Sequence, residues 1–115
     1  MEIIKSSREL TKKEKYMLMQ APISKKMVDA DGSRIEVKAW AIYTDANNEG
    51  EEKEILAILT PDDEVFATVS PTFKTDFLKM CEIFGAEEIG AVKVCTGTSK
   101  AGRTFINAVY DGDEE

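Results

Sequence analysis

The chain has no histidine among its 115 residues. That removes the commonest general base and the commonest transition-metal ligand. Neither a Ser-His nor a Cys-His nucleophile pair can be assembled, and a histidine-bearing zinc site is excluded. Cysteine is scarce as well, with only Cys81 and Cys95. One falls in a predicted helix and the other in a predicted strand, so they read as two reduced thiols in or near the core. No apolar run approaches the ~18–20 residues needed to cross a bilayer, so no membrane partner is expected. Met1-Glu2-Ile3-Ile4-Lys5 has no apolar stretch after its first charge, and no secretory leader is expected there. Also missing are the calcium loop D-x-[DN]-x-[DN]-G and the phosphate cradle G-x-x-x-x-G-K-[ST]. No two carboxylates stand at a spacing suited to acid–base work. Neither a metal nor another cofactor is expected, and catalysis is not.

What is present in excess is acid, with a net charge of −7. A uniform surplus of that sign argues against a polyanionic partner. The distribution is uneven, however. Residues 1–40 carry nine Lys and Arg against six Asp and Glu, residues 41–70 one against eight, and residues 71–115 five against eight. Four of the last eight acids are Asp111, Asp113, Glu114 and Glu115, in the tail. A basic face is compatible with this pattern if the acids lie elsewhere.

Length fits one domain with one core. Thr11-Lys12-Lys13-Glu14 has the pattern of a capping box, which predicts a short helix from Lys12 to Met19, ending before Pro22. That helix is too short to stand alone and must dock on something. A short strand is expected at Ser24–Val28 and a turn at Asp29-Ala30-Asp31-Gly32. From Ser33 to Thr44 apolar residues alternate, with Ile35, Val37, Ala39, Ala41 and Tyr43 on one face and Glu36, Lys38, Trp40 and Ile42 on the other. Such alternation marks a strand with one face on a core. Asp45–Glu52 reads as a loop, the near-continuous apolar run Glu54–Thr60 as a well-covered strand, and Val65–Val69 as a third strand. Ser70 as N-cap with Pro71 at the first helical position opens a second helix. Its stripe is Phe73, Phe77, Met80, Cys81 and Phe84, and Gly85 stops it. Val92–Thr98 and Thr104–Tyr110 are the last two strands. The order β-β-β-α-β-β predicts a mainly β fold with helices, a five-stranded OB-like barrel. Residues 1–23 are then an N-terminal extension with a short helix, 24–110 the barrel and 111–115 an acidic tail.

Three constellations suit nucleic acid. The tip Gly97-Thr98-Ser99-Lys100-Ala101-Gly102-Arg103 crowds two cations, two hydroxyls and two glycines, which can offer charge and bare amides to phosphate. Trp40 lies beside Lys38 on one strand face. If that face is outermost, the indole is a stacking surface next to a cation; if it is innermost, Trp40 is a core anchor. Tyr43 takes the opposite answer unless a bulge shifts the register. On the last two strands Lys93, Cys95, Phe105 and Asn107 share the face opposite Val92, Val94, Ile106 and Ala108. The candidate nucleic-acid-binding residues are therefore Lys38, Trp40, Tyr43, Lys93, Lys100, Arg103 and Phe105. The lysines Lys12, Lys13, Lys15, Lys25 and Lys26 read as a solvated face that extends a phosphate track if it lies near the groove.

Ser70-Pro71-Thr72-Phe73, Phe77, Ile83-Phe84-Gly85, the hairpin Gly97–Arg103 and Thr104-Phe105-Ile106 together resemble small single-stranded-DNA-binding proteins of bacteriophages and prophages in Gram-positive gut bacteria. Leu10-Thr11, Glu14-Lys15-Tyr16 and Lys26-Met27 are similar to theirs too, so the resemblance spans roughly residues 3 to 110. It implies an OB-like, non-enzymatic protein that coats single-stranded DNA without strong sequence preference during phage replication or recombination, in the cytoplasm of the bacterial host. It also implies replication or recombination proteins as further partners. The family's relatives in bacteria close an acidic tail with an apolar tip that docks partner proteins, and Asp111-Gly112-Asp113-Glu114-Glu115 lacks that tip. The alternative reading is an acidic protein-interaction module, working through residues 45–64 on a host or replication protein. An unpaired edge strand in either case offers itself to a second copy.

Overall fold

The longest strand signal in the sequence, residues 33–44, breaks in two, and the break organises the molecule. Val37 N–H donates to the Gly90 carbonyl at 2.9 Å, while the next residue, Lys38, donates to the Leu59 carbonyl at 2.8 Å. One strand thereby leaves one sheet and enters another, a corner between two packed sheets. The computed structural model describes residues 2–7, 9–19, 25–26, 32–46, 50, 52–85, 89–98, 100–102 and 104–111.

The elements are β1 (Glu2–Ser6), α1 (Lys12–Leu18), β2 (Lys25–Lys26), β3 (Arg34–Glu36), β4 (Ala39–Ala46), β5 (Glu52–Leu59), β6 (Val65–Thr68), α2 (Pro71–Phe84), β7 (Ala91–Thr98) and β8 (Thr104–Tyr110). A five-stranded main sheet has the order β1-β4-β5-β6-β2, and a three-stranded small sheet has the order β3-β7-β8. All pairings are antiparallel except β2 with β6. The fold is mainly β with two helices, as expected.

The two sheets do not close into one barrel. Closure would need β6 to pair with β8. The free edge of β6 instead takes β2, with Lys25 opposite Phe66 and Lys26 opposite Ala67. The outer edge of β8 is met by α2: Ala108 N–H donates to Asp76 Oδ2 at 3.3 Å, and Phe84 stacks on Tyr110 with ring centres 4.1 Å apart. A carboxylate and a helix occupy the seam where a strand was expected.

Both helices start where their capping chemistry says. Thr11 Oγ1 accepts from the Glu14 N–H at 3.1 Å, and Glu14 Oε1 accepts from the Thr11 N–H at 2.9 Å. Ser70 Oγ accepts from the Phe73 N–H at 3.3 Å, Pro71 opens α2, and Gly85 ends it at φ 96°. The helix α1 docks on β4 and β5, and β1, which was not expected, pairs with β4.

The core divides between the two faces of the main sheet. Between the sheets lie Ile35, Trp40, Ile42, Leu56 and Ile58, with Phe73 and Phe77 of α2 and Val92, Val94 and Ile106 of the small sheet. Trp40 meets Phe77 edge-on at 5.2 Å, worth about 0.5–1.5 kcal/mol beyond burial. On the other face Leu10 and Leu18 cover Ala39, Ala41, Tyr43, Ile55, Ala57 and Leu59. Ile35 and Val37 face the first core, and so do Trp40 and Ile42, so the corner at Val37–Lys38 shifts side-chain parity by one residue. Among the described residues no helix is long and apolar enough to cross a membrane.

Candidate nucleic-acid interface

The parity shift decides the fate of the aromatic candidates on β4. Trp40 is only 1% exposed and Tyr43 0%. The expectation that one of them faces water fails because α1 dries the outer face of the main sheet while α2 and the small sheet dry the inner one. No base can stack on either ring in this conformation. The Tyr43 hydroxyl is buried without a hydrogen-bond partner. Burial, reinforced by the Asp45 charge, pushes it up to about 12.

The candidates on β7 and β8 lie together. In this hairpin Lys93 is opposite Val109, Cys95 opposite Asn107 and Gly97 opposite Phe105. Val92, Val94, Ile106 and Ala108 are buried, so Lys93, Cys95, Gly97, Phe105, Asn107 and Val109 share the outer face, as the alternation predicts. Phe105 is half-buried. Its ring crosses the facing glycine: a Cβ on Gly97 would sit 2.7 Å from Phe105 Cζ and 2.8 Å from Cε2. Gly97 thus supplies the bare backbone on which the ring rests.

Toward the tip the hairpin outgrows the core. Thr96 and Thr98 sit at inward-facing register positions yet are exposed, so the far end of the hairpin extends past the core as an arm, while Cys95, Gly97, Phe105 and Asn107 on its other face stay partly covered. Lys100 is exposed at its tip, and Gly102 turns there at φ 80°. Arg103 lies outside the described residues. From Lys93 to Lys100 the arm runs about 20 Å at ~3.3 Å per residue.

Lys38 is exposed but is not gathered with these residues. It follows the Val37–Gly90 contact at the foot of β7, about 30 Å of strand from Lys100. Carboxylates also enter at the foot of the hairpin. Arg34 is the cross-strand neighbour of Lys93. Its Nη1 donates to Glu36 Oε1 at 3.0 Å, and its Nε donates to the Asp111 carbonyl at 3.1 Å and lies 3.4 Å from Asp111 Oδ2. At the foot of the hairpin the acids therefore do not lie elsewhere: Glu36 and Asp111 sit beside Arg34, the neighbour of Lys93.

One signal in the sequence locates this arm without any structure. From Ile89 to Tyr110 there is no Asp or Glu, while Lys93, Lys100 and Arg103 all fall within the run. In a chain with 22 acids that is the longest acid-free run, although Asp76 reaches its β8 edge at Ala108 from α2.

Two concavities lie elsewhere. One of about 330 Å3 sits between β1 and α2, lined by Lys5, Ser6, Trp40, Leu78, Cys81 and Glu82. Burial pushes the Cys81 thiol up to about 11 against the opposing effect of Lys5. The other, about 270 Å3, lies between β3 and the β5–β6 turn, where Glu36, Asp62 and Glu64 outnumber Arg34. Its sign suits no anion. Among the described residues no three His, Cys, Asp or Glu converge as metal ligands. Compared with protein families, curated proteins and solved structures, the chain matches none.

Proposed function

We propose that this is a non-catalytic protein that binds single-stranded DNA along the β7–β8 arm, on an open form of the OB-type barrel. The observation that carries the reading is the acid-free hairpin that leaves the core with a phenyl ring on one face and lysines at both ends. A base stacks on Phe105, an interaction worth about 1–3 kcal/mol and tolerant of sequence. Lys93, Lys100 and Arg103 neutralise neighbouring phosphates. The order and pairing of β6, β5, β4–β3, β7 and β8 support the scaffold, with α2 seated at the open seam. Trp40, Tyr43 and Lys38 take no direct part. The setting in phage replication or recombination follows from the family resemblance.

The test is fluorescence anisotropy of labelled oligo-dT across a salt series. Three phosphate contacts on a single strand give a slope of log K against log salt near ~−2. Binding that is absent at low salt, or indifferent to salt, overturns the proposal. A second reading has an observation of its own: Glu52, Glu54, Asp62, Asp63 and Glu64 are all exposed at the two ends of β5. Capture of a purified replication protein after nuclease treatment, lost on charge reversal of these acids, would favour an acidic protein-interaction module.

A further inference from the structure

The helix α1 is a second place where cations gather, with the exposed Glu9 just ahead of it. Its residues step by about 100° around the axis, which sets Lys15, Lys12, Tyr16 and Lys13 along one arc of about 160°. All four are exposed, Tyr16 to 66%. The one acid of the helix, Glu14, is turned inward and occupied by the capping box. Leu18 points into the core on the same side as Glu14. Among the described residues no carboxylate pairs with the three lysines. The solvent face of α1 is thus three charges around an exposed phenol, a composition that suits a phosphate backbone and an unstacked base.

Its position matters as much as its charge. The helix lies on the outer face of the main sheet, whereas the hairpin's outer face lies on the far side of the small sheet, with the inter-sheet core between them. Two layers, each about 10 Å thick, separate the two cationic surfaces. A short strand seated on Phe105 does not reach Tyr16.

We infer that α1 carries a second, independent contact for single-stranded DNA, so that one molecule holds two strand segments on opposite faces. The second contact stands on α1 alone; the two-segment arrangement also rests on the hairpin reading above. Holding two segments brings separate strands together or compacts one long strand, an activity that a single-faced coat lacks.

The experiment uses the full chain and two dT oligonucleotides, one carrying a donor and the other an acceptor, which cannot pair with each other. Wild-type protein, shown monomeric by sedimentation, is expected to produce energy transfer between them. Lys12→Glu with Lys13→Glu is expected to abolish the transfer, to cut the oligonucleotides bound per molecule from two to one with the hairpin's salt slope unchanged, and to leave the fold intact, since acids in a first turn favour a helix. Tyr16→Ala should weaken transfer in the same way. Lys93→Glu with Lys100→Glu should also abolish transfer while α1 still binds one strand. If that hairpin variant transfers like wild type and the α1 variant does not, the α1 contact stands and the hairpin reading falls. If the α1 variant keeps wild-type transfer and still binds two oligonucleotides, the inference is overturned. It is equally overturned if the α1 substitutions leave oligo-dT binding unchanged but remove binding to phosphatidylglycerol vesicles, which would make this face a membrane contact.

Discussion

Phe105→Leu separates the structural role of this ring from the binding role proposed for it. The ring rests on Gly97 and is half-buried. Leucine still covers the glycine, so a swap of similar volume should change stability by less than about 1.5 kcal/mol. It has no π-face, so the whole stacking contribution of about 1–3 kcal/mol is lost. At 1.4 kcal/mol per factor of ten, the Kd for oligo-dT should rise about 5- to 150-fold, with the salt slope unchanged because no charge is touched. Gly97→Ala is the complementary perturbation. The new Cβ would lie 2.7 Å from Cζ, closer than carbon atoms approach, and the flexible ring must lift off the strand. Its affinity should fall toward that of the leucine variant although the ring is still there. Anisotropy titrations at fixed salt, with urea melts alongside, read both effects. A leucine variant that binds like wild type would show that no base stacks on Phe105 and would refute the reasoning.

Tyr43→Phe removes a buried hydroxyl that has no partner and should stabilise the fold by about 1–3 kcal/mol in urea unfolding; a loss of stability would show that the hydroxyl is satisfied. Tyr43 and Cys81 are both raised in the folded chain, from 10.0 to about 12 and from 9.0 to about 11. Each keeps its proton in the folded state after the unfolded chain has released it, so their contribution is fully present below about pH 9 and is lost as pH rises toward 12. Urea midpoints across that range should fall, and less steeply in Tyr43→Phe. Trp40 is sealed in the inter-sheet core, so its emission should be blue-shifted and unchanged by saturating oligo-dT, even while anisotropy reports binding; quenching proportional to binding would place the indole at the interface.

Where local chemistry decides, the structure could be read from the sequence. Thr11 with Glu14 and Ser70 with Pro71 announced both helix starts, because a cap needs only residues three apart. The β7–β8 face was legible for the same reason: alternation over a short hairpin fixes sidedness once Val92, Val94 and Ile106 claim the core. Sidedness failed on β4, where alternation assumes that one face stays wet. Here Leu18 arrives from α1 to cover Tyr43, and Phe77 from α2 to cover Trp40. Those partners are distant in sequence, and no local pattern specifies them. The corner was illegible likewise, since Val37 and Lys38 choose different sheets through carbonyls of Gly90 and Leu59. β1 holds only two apolar residues, Ile3 and Ile4, too few for a period. Barrel closure depended on a competition for strand edges, which Asp76 won at β8.

The net charge of −7 and the DNA-binding arm proposed above are compatible only if the arm acts at short range. With three cations and no acid between Ile89 and Tyr110, the rest of the chain carries −10. At about 0.1 M salt the Debye length is about 10 Å. A phosphate at the tip then responds to Lys100 and Arg103 and is screened from most of the acids. At about 0.01 M the Debye length is about 30 Å, comparable with the molecule's 36 Å longest extent, and the whole negative surface opposes the approaching strand. The plot of log K against log salt should therefore be linear with negative slope near physiological salt and flatten or turn over toward the lowest salt. A basic protein with the same three contacts has no reason to bend. Titrations carried down to that range check it, and a line that stays straight would mean the acids are not arranged around an isolated cationic arm.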